Sequence, residues 1–260
     1  MTEIDTTQRQ EVFDRARACL RTERRRTIDE QEAFRVFESQ VRTLEGQSRG
    51  SQADVAEVQL AASGSARGLQ AVRDAYEATV MAVPHYEEEY DEPFETHVQT
   101  EFGPEIAALL CQGRVLDGQS KGAVLAAAAQ AQESRSQLLD ALDDEQDSFE
   151  DLTAELRSVL EELPEYHEAT YADLSFGALD AYRTRLTVLE EKCSAVVDRR
   201  QATLVDQRRD LALPIDGPDV PTFVYQTLDV RYPIVATAAD LLDHVQSLRR
   251  DVERALSHSG

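Results

Sequence analysis

Apolar residues recur along most of this chain in alternating steps of three and four, the spacing that keeps one helix stripe facing a partner helix. From about Thr7 to Glu45 the stripe is Phe13, Ala16, Leu20, Glu23, Thr27, Glu30, Phe34, Phe37, Val41 and Leu44. Its middle is polar, so either Ile28 takes over the contact there or the bundle carries a polar layer. GQSRG at Gly46–Gly50 signals a turn. A second helix is expected from Ser51 to Val83, through Val55, Val58, Ala62, Leu69, Val72 and Tyr76. Gly64 and Gly68 either weaken it or let another backbone approach closely. Two long heptad segments joined by a short link predict an antiparallel hairpin.

The same period returns later. A third helix is expected over Ala123–Leu163, roughly 60 Å long at about 1.5 Å per residue, with Pro164 stopping it. A fourth runs from Ser175, a candidate N-cap, to Leu211, with Leu179, Tyr182, Leu186, Leu189, Cys193, Val196, Arg200 and Leu204 inward. A last helix, Tyr232–Leu256, should pack back against the others. Gly113–Gly122 and Pro214–Pro221 read as loops. Glu23, Glu30, Arg135, Glu145 and Arg200 fall on the seams, where polar groups can set helix register. The expected fold class is all-α: an elongated antiparallel helical bundle with coiled-coil character and a short-helix cap. It is read as a single domain over 1–260, with a hairpin at 7–83, a cap insertion at 84–116, a second hairpin at 117–211 and a packed C-terminal helix at 221–257.

The stretch Ala75–Leu110 breaks this regularity. Pro84 and Pro93 bracket His85, Tyr86, Glu87, Glu88, Glu89, Tyr90, Asp91 and Glu92, and Phe94 follows. Short helices are expected over Glu92–Phe102 and from Gly103-Pro104 to Leu110. The tyrosines with Phe94 and Phe102 are expected to close a bundle end, rings inward and hydroxyls at water. Aromatics beside a charged rim also suit a protein-recognition surface, which makes His85, Tyr86, Glu88, Glu89, Tyr90 and Phe94 the candidate partner-binding residues. His85 with Glu88 or Glu89, and His97 with Glu101, have the helical spacing of a metal-ligand pair, but a solvated or structural pair is the commoner role of such groups. No metal and no cofactor is expected. A weak echo links Val83-Pro84-His85-Tyr86-Glu87 to Leu163-Pro164-Glu165-Tyr166-His167-Glu168.

Composition adds an environment. The 260 residues carry 50 carboxylates against 27 lysines and arginines, a net charge of −23, and Lys121 and Lys192 are the two lysines. Such an excess repels phosphate and so disfavours nucleic acid and anionic membranes. It fits a salt-rich cytoplasm, where salt screens the repulsion. The basic run Arg21–Arg26 (RTERRR) reads as a solvated helix face pairing with carboxylates, with phosphate binding the lesser alternative. Cys19, Cys111 and Cys193 lack CxxC spacing and suit a reducing compartment. No signal peptide or membrane span is visible, so a cytoplasmic location is expected.

The run Thr79–Pro93, containing VMAVPHYEEEYDEP, with Glu101–Glu105 after it, resembles an uncharacterised haloarchaeal family of helical proteins, a domain of unknown function. Glu23–Arg26, the helix Phe34–Val41 and Tyr232–Thr237 are similar to that family too. The resemblance implies a salt-loving archaeal source and carries over no activity. Walker-type glycine loops, GxGxxG and HExxH are absent from the sequence. The two GxSxG matches, GQSRG at Gly46–Gly50 and GQSKG at Gly118–Gly122, fall in stretches read as turn or loop, without the preceding strand that a nucleophile elbow needs. The expected function is therefore a non-catalytic interaction or scaffold protein with an unknown protein partner, able to form homo-oligomers through its seams. The alternatives are a metal- or small-molecule-binding sensor bundle with His85, Glu88 and Glu89 as ligands, and a nucleic-acid-associated factor using Arg21–Arg26.

Overall fold

A computed structural model describes residues 6–44, 68–113, 115–168, 170–211 and 219–258. Among these the chain is all-α, without strands. The elements are α1 (Thr6–Thr43), α2 (described over 68–79), α3 (Tyr86–Glu89), α4 (Phe94–Phe102), α5 (Pro104–Gln112), α6 (Gly118–Glu168), α7 (Phe176–Asp210), α8 (Val220–Val224) and α9 (Pro233–His258), with 3-10 turns at Val80–Ala82 and Tyr171–Asp173. The expected turn at Gly46–Gly50, the 51–67 part of the expected second helix with the link of its hairpin, and most of the loop Pro214–Pro221 lie outside the described residues. Contacts group the chain into two compact units, Met1–Glu23 with Asp140–Gly260, and Arg24–Leu139. Each unit draws on both α1 and α6.

The unit Arg24–Leu139 has an aromatic core. Phe34 and Phe37 from α1, Tyr76 from α2 and Phe102 from α4 are all buried. Tyr76 meets Phe37 and Phe102 edge-on, at centroid distances of 5.3 and 5.4 Å. Burying each such ring contributes about 1.5–3 kcal/mol, with a further increment from the edge-to-face geometry. Val41, Leu69, Val72, Leu110, Leu116 and Val124 fill the layer around them. A Cβ on Gly68 would stand 3.1 Å from Leu116, so that glycine serves close approach. Lys121 donates to the carbonyls of Arg42 and Leu44 at 2.8 and 2.5 Å, placing an ammonium where the end of α1 leaves acceptors unfilled.

Local chemistry explains the breaks between the short helices. Val83 precedes a proline and is extended (φ −62°, ψ 144°), which ends the helical course after Ala82. Gly103 at φ 85° turns the chain between α4 and α5, and Pro104 then occupies the first turn of α5. Helix α4 begins at Phe94 because Pro93 is extended, and an unexpected helical turn, α3, precedes it.

In the other unit Phe13 of α1 packs edge-on against Phe149 of α6, with centroids 6.0 Å apart. Glu162 binds Arg185, Glu155 binds Arg199 and Glu145 binds Arg200. Rising numbers on α7 thus meet falling numbers on α6, so the two helices run antiparallel. Helix α9 packs along α7 through Ile234, Ala238, Leu241, Val245, Leu248 and Val252 on its apolar face. The Ser175 side chain caps α7 by accepting from Ala178 N, and Asp219 caps α8 by accepting from Thr222 N.

Three expectations are corrected. Helix α6 starts at Gly118, inside the stretch read as loop, because Asp117 accepts from Ser120 N and caps it. It continues through Pro164 to Glu168, since a proline in the last turn removes only one hydrogen bond from a helix about to end. Val220 and Pro221, read as loop, open the short helix α8. The polar middle of the α1 stripe is also decided: Glu23 and Thr27 are buried, whereas Ile28 is 38% exposed and does not take over.

The seam residue Arg200 is 1% exposed and its partner Glu145 is fully buried. The guanidinium forks onto both carboxylate oxygens at 2.8 and 2.6 Å. Gln207 Nε2 and the Tyr225 hydroxyl add two more donors to Glu145, at 3.1 and 2.8 Å. Arg200→Met should lower unfolding stability by about 3–5 kcal/mol, because it leaves a buried carboxylate unpaired. Adding Glu145→Leu should recover much of that loss. Urea unfolding of both variants at molar salt checks this, and a single-variant loss below about 1 kcal/mol would contradict the pairing as the seam's main polar constraint.

Candidate functional site

The aromatic and acidic stretch folds around His97. Helix α4 delivers His97 and Phe94, α2 delivers Tyr76, and the turn α3 delivers Tyr86 and leads to Tyr90. The His97 ring has the rings of Tyr86 and Tyr90 edge-on at 5.0 Å each and that of Tyr76 at 5.8 Å. His97 Nδ1 and the Tyr76 hydroxyl share a hydrogen bond of 2.8 Å. Tyr86 donates to the Glu92 carbonyl at 2.9 Å and Tyr90 to Glu30 at 2.9 Å. The rings point inward as expected, but these hydroxyls are held by protein partners. Burial is the reason: a desolvated hydroxyl without an acceptor costs more than one that stays at water.

Beside this box lies an ionic network. Arg135 of α6 forks onto both oxygens of Glu101 at 2.7 Å and donates Nε to Glu30 Oε2 at 3.1 Å. Its guanidinium also lies over the Phe34 ring, 4.9 Å from the centroid. His85 Nε2 lies 3.1 Å from Glu30 Oε1 and 3.8 Å from Glu89 Oε2. Arg26 closes the edge, reaching Glu88 at 3.0 Å and Glu89 at 3.8 Å.

The electrostatics follow from this geometry. Burial raises the Tyr76 and Tyr90 phenols well above their ordinary range, and the Glu101 and Glu30 carboxylates respectively add to it. Burial also lowers His97 below its ordinary 6.5, partly offset by Glu101 and Glu92. Burial works against the Arg135 cation, but hydrogen bonds and charge from Glu101 and Glu30 outweigh it and hold the group more firmly protonated.

Of the residues singled out in the sequence, His85, Tyr86, Glu89 and Tyr90 come together, with His85 and Tyr86 buried. Phe94 packs against Tyr76 at 5.6 Å. Glu88 is apart from them, 75% exposed at its side chain. The His97 and Glu101 pair does not act as one, because their hydrogen bonds go to Tyr76 and Arg135. Arg21–Arg26 is not one face: Arg21 and Arg25 are exposed, Glu23 between them is buried, and Arg26 is paired with the cap. Glu30 and Arg135, legible in the sequence only as polar seam positions, are central here.

A family model described as a domain of unknown function (DUF7260) matches residues 11–249. The chain belongs to that family. No curated protein and no solved structure matches it. The family match spans α1 to most of α9 and therefore includes both ionic networks. Among the described residues no helix is long and apolar enough to cross a membrane.

Because the buried His97 is depressed, the unfolded chain binds more protons than the folded one between the folded value and 6.5. The His97 contribution is complete above pH 6.5 and is lost as the pH falls through that window. Melting temperatures of the native chain and of His97→Gln, compared from neutral to mildly acid pH, should show a steeper acid loss in the native chain. Parallel curves would contradict the assignment.

Proposed function

We propose that this family member is a non-catalytic interaction or scaffold protein of a salt-rich, haloarchaeal cytoplasm, and that its cap contacts a partner protein. One observation carries the reading. The cap is fixed from inside by the His97 box and by the Glu30 and Arg135 ion pairs, while it turns the carboxylates of Glu87, Glu88, Asp91 and Glu95 outward. A surface held rigid before binding loses little conformational freedom when a partner docks. The groups suited to acid–base work are instead committed inward: the phenols are raised, His97 is lowered, and Arg135 and Arg200 are locked onto carboxylates. An acidic face of this kind selects a partner with a basic or donor-rich surface, and screening by salt restricts the attraction to close contact.

The aromatic residues proposed from sequence support the cap more than they line its surface. The test is therefore made on the rim. Cross-linking and capture from cell extract at molar salt should recover a partner with the native chain. Glu87→Gln, Asp91→Asn and Glu95→Gln together should lose it while melting at nearly the native temperature. Equal capture by both would remove the rim from the proposal.

A further inference from the structure

His85 is a buried imidazole between two carboxylates that come from different parts of the chain. His85 and Glu89 stand one helical turn apart at the two ends of the α3 turn. Glu30 reaches them from the middle of α1, at the polar gap in its apolar stripe. One ligand atom from each, Glu30 Oε1, His85 Nε2 and Glu89 Oε2, lies within 4.8 Å of the other two. We propose that these three atoms form a binding site for a divalent transition-metal cation, with Zn²⁺ as the type ion.

The geometry suits that ion. Bonds of about 2.0–2.2 Å in a tetrahedron place ligand atoms about 3.3–3.6 Å apart. The 3.1 and 3.8 Å separations from His85 Nε2 bracket this, so small side-chain shifts would close the site. Imidazole with carboxylates is a donor set used by first-row divalent ions. Glu89 is 22% exposed at its side chain, which leaves an entry path and a fourth position for water. The surroundings hold Glu30 in place: Tyr90 donates to its Oε1, and Arg135 donates to its Oε2. Such partners orient a metal-bound carboxylate.

Charge is the main obstacle, and it is met. Arg26 and Arg135 bring two positive groups near the site, which by itself opposes a cation. The same ion-pair network holds four carboxylates, Glu30, Glu88, Glu89 and Glu101, so with a neutral imidazole the balance is negative. On binding, His85 Nε2 turns its lone pair to the metal. The hydrogen it shares with Glu30 moves to Nδ1, which gives the other neutral tautomer. Sequence spacing alone offered Glu88 and Glu89 equally as partners of His85. The fold selects Glu89 and replaces Glu88 with Glu30.

The test uses the full chain, stripped by chelator and titrated at molar salt with Co²⁺ as a spectroscopic probe and with Zn²⁺. The native chain should bind one Co²⁺ per chain, with visible absorption of low coordination number, and Zn²⁺ should displace it and raise the melting temperature. Glu89→Gln, partly exposed and of equal size, should bind roughly tenfold or more weakly. Glu88→Gln should bind like the native chain. If the native chain binds no Co²⁺ above the level of a His85→Gln, Glu89→Gln double variant, the site is refuted. If Glu88→Gln and Glu89→Gln lose affinity equally, the binding is diffuse attraction to an acidic surface and the assignment fails. The readout does not depend on the partner, so it stands or falls separately from the interaction role.

Discussion

Each unit of this protein depends on a guanidinium that has been taken out of water and must find its carboxylate. In one unit Arg200 and Glu145 are almost wholly buried, and Glu145 receives four donors on its two oxygens. In the other, Arg135 is shared between Glu101 and Glu30. Burying two charges is costly, and their attraction repays it only when geometry and extra hydrogen bonds are nearly complete. A slip of one residue between α6 and α7 would strand both charges of the first pair. The apolar stripes alone discriminate poorly against a slip of a whole heptad, because it sets Leu, Ala and Val side chains against one another again. The pairs thus fix alignment, while the apolar seams supply the attraction.

The same constraint limits what the interior can do chemically. Tyr225 donates to Glu145, Tyr90 to Glu30, and Tyr76 is bonded to His97. Phenols held this way are raised by burial and by the carboxylates beside them, so they act as fixed donors. Cys193, buried among apolar residues, is likewise pushed up to about 11 and is a packing residue. Interior polarity here defines packing. Where the cap meets α1, the side chains of Glu89 and Arg26 keep about a fifth of their exposure.

The outer charge works by a different rule. Pairs such as Arg35 with Glu32 and Arg183 with Asp180 lie on exposed helix faces and contribute little each, less still in salt. Carboxylates outnumber the cations that can pair with them, so the surface carries an excess of hydrated negative charge. High salt weakens this repulsion while leaving the buried networks nearly untouched, since screening ions do not reach them. The proposed salt-rich setting would therefore favour the folded state.

The heptad period determined by itself that the described chain is all-α, and it located α1, α6, α7 and α9, because a helix stripe is a local, repeating signal. Ser175 and Gly103-Pro104 were legible for the same reason: a cap or a first-turn proline acts within a few residues. The sequence also marked Glu30, Arg135, Glu145 and Arg200 as polar seam positions, without saying who pairs with whom. That was decided by tertiary structure, since Glu30 and Arg135 are separated by 105 residues and Glu145 and Tyr225 by 80. Pro164 was misread as a stop because a proline's effect depends on how much helix follows it, and only a turn does. Within the candidate site, spacing could bring His85 to Glu89, for both lie on one turn. It could not bring Glu30 to them, nor turn Glu88 away, because those placements come from packing α3 against α1.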